Sequence, residues 1–375
     1  MEKIRIGDAC DILNGFAFKS DKYVEGGIRV IRIANVQKGY IEDDAPVFYP
    51  ADYAGLEKYM LEEGDLLMSL TGNVGRVGIL QKEMLPAALN QRVACLRLKT
   101  ECITKGFLFH VLNSVFFEQQ CVYTSNGVAQ KNMSTEWLKD YEIPLYPIKE
   151  QLKITEVLDR IRCVINLRSV ELRRLDDLIK ARFVEMFGNG HDGFCNTKEL
   201  GEFCKFQQGT QVPVEEQIEE QLEGYTRFLR IVDYTQVPQI PRYVSVKGRK
   251  IAEDSVVIVR YGATAGFVGH GYAGILANNL FEVVPDESIL SKDFLYLALK
   301  YGTFEQEVHD KAFGAAMPAL SFGMMNDIKV VTPNSTAQNG FADFVRQVDK
   351  SKVAVQKALD ETQTLFDSLM QEYFG

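Results

Sequence analysis

The stretch LDDLIKARFVEMFGN, Leu175 to Asn189, returns in altered form as FDSLMQEYFG, Phe366 to Gly375. Phe187-Gly188 and Phe374-Gly375 lie 187 residues apart in a chain of 375. An offset of half the length marks a tandem duplication, and a repeat has to be read before any element is assigned. Sliding one half along the other holds the offset at 187 from Gly127 onward, where Gly127 falls on Gly314, Ser134 on Ser321 and Gln151 on Gln338. Upstream the register drifts while the order is kept. IGDACDILNGF from Ile6 faces LGEFCKFQQGT from Leu200, RVIRIANVQ from Arg29 faces RFLRIVDYT from Arg227, and Asn90 falls on Asn279. EGDLLMSLTGNVGRVG, Glu63 to Gly78, answers to EDSVVIVRYGATAGFVG, Glu253 to Gly269: an acidic turn, an apolar strand and a glycine-spaced loop, twice.

Within one copy, residues 28–34, 65–70 and 92–98 read as short strands bounded by Gly, Asp and Pro. Lys105 to Gln120 reads as a helix of roughly four turns. After Pro144 and Pro147 the character changes: from Glu150 to Phe187 there is neither Pro nor Gly. Apolar residues fall there at Ile154, Leu158, Ile161, Ile165, Leu172, Leu175, Ile179 and Met186, a heptad seam interrupted by Arg168 and Arg182. The second copy carries the seam at Phe341, Val345, Val348, Leu359, Phe366 and Tyr373, with Lys352 and Thr362 in seam positions and Val355 and Leu369 opposite the two arginines. Apolar residues on one helix thus meet cations on the other, and the expectation is a heterotypic antiparallel pair. The expected fold class is α+β: a strand-rich globule followed by a long helix, written twice, the two helices packing as an antiparallel coiled coil. The expected boundaries are a globule over 1–149, a helix over 150–188, a linker and second globule over 189–336, and a second helix over 337–375.

Composition narrows the class. With 46% hydrophobic and 25% charged residues, the chain reads as an ordinary globular protein. No apolar run approaches the roughly 20 residues that span a bilayer, and the start lacks a signal-peptide pattern, so no membrane role and a cytoplasmic location are expected. The seven cysteines are odd in number and form no C-x-x-C, which suits reduced thiols. GHGYAG, Gly269 to Gly274, fits G-x-G-x-x-G literally, but ILANNLFEVV after it reads as strand where a dinucleotide site needs a helix. The chain has no phosphate-loop motif and no Pro-Pro, and its four histidines have no ligand spacing; His110 sits in an apolar helix as a core residue. No catalytic residue, metal or cofactor is expected.

The duplicated order, the GDLLMSLTGNVGRVG loop, the passage NGVAQKNMSTEWLKDYEIPLYPIKEQLKITEVLDRI and the MFGN close resemble the DNA-specificity (S) subunit of Type I restriction-modification systems over essentially the whole chain. The resemblance implies a non-catalytic subunit for host defence. Its two target-recognition domains would each read half of a bipartite double-stranded DNA site, and its helices would hold two methyltransferase subunits. Restriction/translocase subunits would join the complex, and S-adenosylmethionine would be bound by the methyltransferase partner. The second copy keeps Pro333 and Gln338 but has no glutamate before the glutamine, which leaves partner contacts there less defined. Two alternatives stay open: the specificity subunit of a Type II-like fused methylase-nuclease, and a protein-interaction scaffold without DNA.

A DNA reader needs forked or bidentate side chains, Arg for guanine and Asn or Gln for adenine. The first copy offers Asn14, Lys19, Arg32, Asn35, Thr71, Asn73, Arg76, Asn90, Gln91, Arg92, Gln130, Lys131 and Asn132. The second offers Gln207, Gln208, Thr210, Arg230, Asp233, Arg260, Tyr261, Thr264, Asn278, Asn279 and Lys311. A net charge of -9 opposes a broad cationic footprint, so any positive surface has to be local or supplied by partners.

Overall fold

Proline cannot continue a helix from within, but the residues just after it can begin one. In the computed structural model, which describes residues 2–125, 132–188, 195–236, 240–312 and 319–375, the amides of Glu150 and Gln151 close the first turn on the carbonyl of Pro147. One helix of 40 residues then runs over Ile148–Phe187. Its counterpart, also of 40 residues, runs over Ser335–Phe374. Both start two residues earlier than the sequence suggested.

The chain forms two compact units, and neither coincides with a repeat. One comprises Met1–Ser169 with Lys357–Gly375, the other Val170–Gln356. The core of the first takes Ile154 and Leu158 from the start of the first long helix and Met370 and Phe374 from the end of the second, with Phe366 and Leu369 packed alongside. The Phe107 and Phe374 rings meet edge to face at 5.5 Å. The core of the second takes Ile179, Phe183 and Phe187 from the end of the first long helix and Phe341, Val345 and Val348 from the start of the second, with Leu175 against them. Phe341 lies 5.4 Å from the Phe183 ring and 5.6 Å from that of Phe187. Phe183 and Phe187, one turn apart after Ile179, take the buried place the heptad spacing assigns to Met186, which is half-buried. Ile161, Ile165, Leu172, Val355 and Leu359, nearer the helix middles, are all half-buried.

Each unit is built on a four-stranded antiparallel sheet covered on both faces. In the first the order is Cys10–Asn14, Val93–Leu98, Leu66–Ser69, Val77–Ile79. Alternation along a strand sends Leu66 and Met68 into the helix-side core and Leu67 into a second core with Ile31, Val36 and Leu89. The second unit repeats this with Cys204–Gln208, Leu280–Pro285, Val256–Val259 and Val268–Gly269. Its Val256 and Ile258 face the helices and its Val257 and Val259 the other side. The strand before each long helix, Glu142–Leu145 or Lys329–Val331, pairs with the strand that opens its globule, Glu2–Arg5 or Thr197–Glu199.

One buried glutamine ties each long helix to its globule. Gln151 accepts from the Thr104 amide at 2.8 Å and donates to the carbonyls of Cys102 and Tyr146 at 2.8 and 2.7 Å. Gln338 accepts from the Ser291 amide at 3.1 Å and donates to the carbonyls of Ile289 and Pro333, both at 2.9 Å. Every partner is displaced by 187 positions.

One local expectation is revised. The helix read over Lys105 to Gln120 is two helices, Lys105–Leu112 and Val115–Ser125. Asn113 turns its amide back to the Phe109 carbonyl and the Ser114 hydroxyl accepts from the Phe117 amide, so both side chains satisfy backbone groups where the helix would continue. After GHGYAG the chain forms strands Gly274–Leu276 and Leu280–Pro285 and no helix. No disulfide joins any of the seven cysteines, and burial pushes the Cys10 and Cys204 thiols up to about 12, which keeps them protonated. Among the described residues no helix is long and apolar enough to cross a membrane.

Candidate nucleic-acid interface

Most of the described sequence candidates lie at one end of each four-stranded sheet. In the first unit, Asn14 ends its strand opposite Ala94. The chain then passes so close to the neighbouring segment that a Cβ on Gly15 would lie 2.3 Å from the Asn90 carbonyl, a contact only glycine avoids. The Phe16 amide donates to the Leu89 carbonyl and the Gln91 amide to that of Phe16, at 2.8 and 3.0 Å. The Asn90 amide donates to the Ile31 carbonyl at 3.2 Å and the Leu70 amide to the Arg92 carbonyl at 3.0 Å. Thr71 bridges to Asn132. Five chain segments thus meet there.

The second unit builds the same junction from different side chains. Gly209 passes the Ala277 carbonyl, the Thr210 amide donates to the Leu276 carbonyl at 2.6 Å, and the Arg260 amide to that of Asn279 at 2.9 Å. Gln208 donates its amide to the Asn278 carbonyl at 3.2 Å. Tyr261 bridges to Ala319, the counterpart of the Thr71 and Asn132 bridge.

Burial sorts the candidates. Asn35 is 6% exposed, accepting from the Arg32 amide at 2.9 Å and donating to the Glu42 carbonyl at 2.9 Å, while Arg32 donates to the Ala45 carbonyl. Asp233 is 3% exposed and accepts from the amide and Nε of Arg230, whose Nη2 reaches the Ile240 carbonyl. These four residues cap the turn that follows an inner strand, with Asn35 and Asp233 in the third position that accepts the cap residue's amide. Asn90 is 8% exposed and accepts from the Arg92 amide. Asn14, Lys19, Asn73, Gln91, Arg92 and Asn132 are exposed, with Thr71 and Arg76 half-buried beside them. In the second unit Gln208 and Thr264 are exposed, and Gln207, Thr210, Arg260, Tyr261, Asn278 and Asn279 are half-buried. Arg260 stacks on Tyr261, 4.8 Å from its ring centre, and its Nε donates to the Leu320 carbonyl. Gln130, Lys131 and the side chain of Lys311 lie outside the described residues.

Sequence reading passed over two residues. Gln37 and Arg162 lie 125 positions apart and carry no local motif, yet Gln37, on a hairpin beside the Thr71–Arg76 turn, accepts from Arg76, and Arg162 donates to the Gly39 carbonyl of the same hairpin. His110, 1% exposed, sets Nε2 at 2.8 Å from Asp159 Oδ1 on the first long helix. Burial lowers its pKa, with Asp159 opposing the shift.

The chain thus repeats one architecture in tandem, a globule with a polar sheet end followed by a long helix. The chain belongs to the family described as Type I restriction modification DNA specificity domain, which matches residues 1–172 and 195–362. It is 31% identical over 188 residues to the Type I restriction enzyme MjaVIII specificity subunit of Methanocaldococcus jannaschii, covering 48% of this chain and 43% of that protein. It is 34% identical over 166 residues to the EcoAI specificity subunit of Escherichia coli, covering 43% and 28%. These matches span less than half the length of either relative. Among solved structures, the S subunit from M. genitalium resembles the whole chain with a TM-score of 0.58 at 18% identity, covering 96% of that chain. A chain from a structure of the type I R-M system matches with a TM-score of 0.59 at 18% identity, covering 97% of it. At that identity the two structures show the fold.

Proposed function

We propose that this chain is the sequence-reading subunit of a Type I restriction-modification complex. Each unit reads one half of a bipartite duplex site with the polar end of its four-stranded sheet. The convergence of outward amide, guanidinium and hydroxyl groups on the same end of both sheets carries this reading, since such groups discriminate base edges. The long helices run as an antiparallel coiled coil, a reading supported by their half-buried seam positions. A span of 38–40 residues at about 1.5 Å each is roughly 57–60 Å, against about 34 Å for a duplex turn, enough to set two half-sites apart. Methyltransferase subunits dock on it and hold S-adenosylmethionine, and restriction subunits complete the assembly. The chain itself is non-catalytic.

With a net charge of -9, the isolated chain should bind DNA weakly and lose that binding steeply with salt. Co-purification with its methyltransferase, followed by mapping of the methylated positions, tests the proposal: one bipartite sequence is expected. Binding of S-adenosylmethionine by the isolated chain in calorimetry, or methylation without sequence preference by the complex, would refute it.

A further inference from the structure

The first unit carries a tie from its candidate reading turn to its long helix. A hairpin pairs Val36–Gln37 with Tyr40–Ile41 and turns at Gly39, whose φ of +90° is one L side chains avoid. The Gly39 amide donates to the Val77 carbonyl at 2.8 Å, and its carbonyl accepts from Arg162 Nη2 on the long helix at 3.2 Å. Arg162 is itself stacked on Phe109, 4.7 Å from the ring centre. Beside it Lys38 pairs with Glu118 at 2.6 Å.

At the hairpin's other end Gln37 donates its amide to the Ala34 carbonyl and to Glu42, both at 3.0 Å. Both amide hydrogens are therefore engaged, and its oxygen is left to accept from Arg76 Nη1. Ser69, fully buried, holds the turn from within, its hydroxyl accepting from the Arg76 amide and donating to the Asn73 carbonyl. Turned over about its amide, the Asn73 side chain would offer its oxygen to both terminal nitrogens of Arg76 at 3.3 Å.

Among the described residues, the second unit shows the turn and no matching tie. Val259 accepts from the Gly266 amide and donates to the Phe267 carbonyl, as Ser69 does with Gly75 and Arg76, so Phe267 stands in the place of Arg76. At the offset of 187, Asp349 stands in the place of Arg162 and Tyr296 in that of Phe109. An aspartate cannot donate to a carbonyl. A short helix, Ile231–Thr235, occupies the stretch after the inner strand, and among the described residues no hairpin follows it.

We infer that Gln37 and Arg162 are positioning residues for recognition of the first half-site: Arg162 anchors the hairpin to the long helix, and Gln37 on that hairpin sets the aim of Arg76 and Asn73. The inference rests on the DNA-reading proposal and adds that the two units differ in how their reading turns are held. The test uses the full chain with its methyltransferase and duplexes carrying single-base changes in either half-site. Arg92→Ala first assigns the half-site read by this unit. Gln37→Leu and Arg162→Met should then each cut discrimination in that half-site by roughly tenfold, the scale of one hydrogen bond to a charged group. Discrimination in the other half-site should be unchanged, and Arg162→Lys should recover part of the loss. Equal losses in both half-sites, or none in the first, would overturn the inference. If Arg162→Met does not fold, Lys38→Gln loosens the same hairpin tip at a half-exposed pair and must show the same split at smaller size. If the unaltered complex prefers no duplex, the DNA reading itself fails; if it does prefer one and the variants retain it, only the tie fails.

Discussion

Gln151 and Gln338 make the same three hydrogen bonds in their two units, while Arg76 and Phe267, equally matched in place, share only their backbone. The ion pair that holds one buried carboxylate in each unit falls between these extremes. In the first unit Asp65 pairs with Arg97; in the second Ser255 stands at the aspartate's position, and Glu282 takes the acid's part with Arg249. A duplicated chain can exchange the partners of an ion pair as long as the buried charge stays paired, because an unpaired one would be costly. It has less freedom at a joint where one side chain must satisfy three backbone groups at once. The outward side chains at the two sheet ends differ, as the proposed reading of two different half-sites would require.

The largest effects should come from the helix ends. Phe187→Ala and Phe374→Ala each empty a fully packed aromatic site and should cost about 3–5 kcal/mol. Phe187→Ala should lower the unfolding transition of the second unit and Phe374→Ala that of the first, each resolved by urea melts with a probe in one unit. The opposite assignment would break the account of shared cores. Next, Gln151→Ala and Gln338→Ala leave buried backbone groups unpaired and should each destabilise by about 2–4 kcal/mol. A large difference between the two would mean that their matching geometry conceals unequal packing.

Half-site binding should separate the units where stability joins them. Arg92→Ala and Gln208→Ala should each cost about 1–3 kcal/mol against one base position, in different half-sites, measured by competition with altered duplexes. The smallest effect concerns acid. His110 is buried and its pKa lowered, whereas Leu297 holds the matching place in the second unit. As pH falls through the ordinary histidine range near 6.5, the unfolded chain takes up a proton that the folded first unit resists. The stabilising term is full above that range and lost below it. Asp159 and Arg162, the charged groups facing His110, pull in opposite directions. The first unit should therefore lose more stability than a His110→Leu variant between pH 7 and 5, and equal pH profiles would remove the histidine from the comparison.

The two long helices and the strand-rich globules are legible in the repeats and the apolar spacing of the sequence. The offset even pairs Gln151 with Gln338, but attention to the missing glutamate beside Gln338 hid what the glutamine does; Glu150 is exposed, and the joint is made by its neighbour. A heptad pattern shows which face of a helix is buried but not which globule covers it, so the exchange of helix ends lay beyond that reading. Of the candidate readers, Arg32, Asn35, Arg230 and Asp233 have the polar chemistry of base recognition and use it on backbone caps, a role their three-residue spacing also fits. Gln37 and Arg162 were invisible because the hairpin that joins them is a tertiary contact.

The exchange of helix ends also sets an order in time. The second unit is continuous, Val170–Gln356, and can close its core as soon as that stretch has left the ribosome. The first unit needs Lys357–Gly375, so the part of the chain made earliest is finished last. At about 5–20 residues per second, the first globule waits roughly 10 to 40 s with the site for Met370 and Phe374 unfilled. During that interval its apolar floor is open to any helix of similar face, including the same segment of a chain emerging from a neighbouring ribosome.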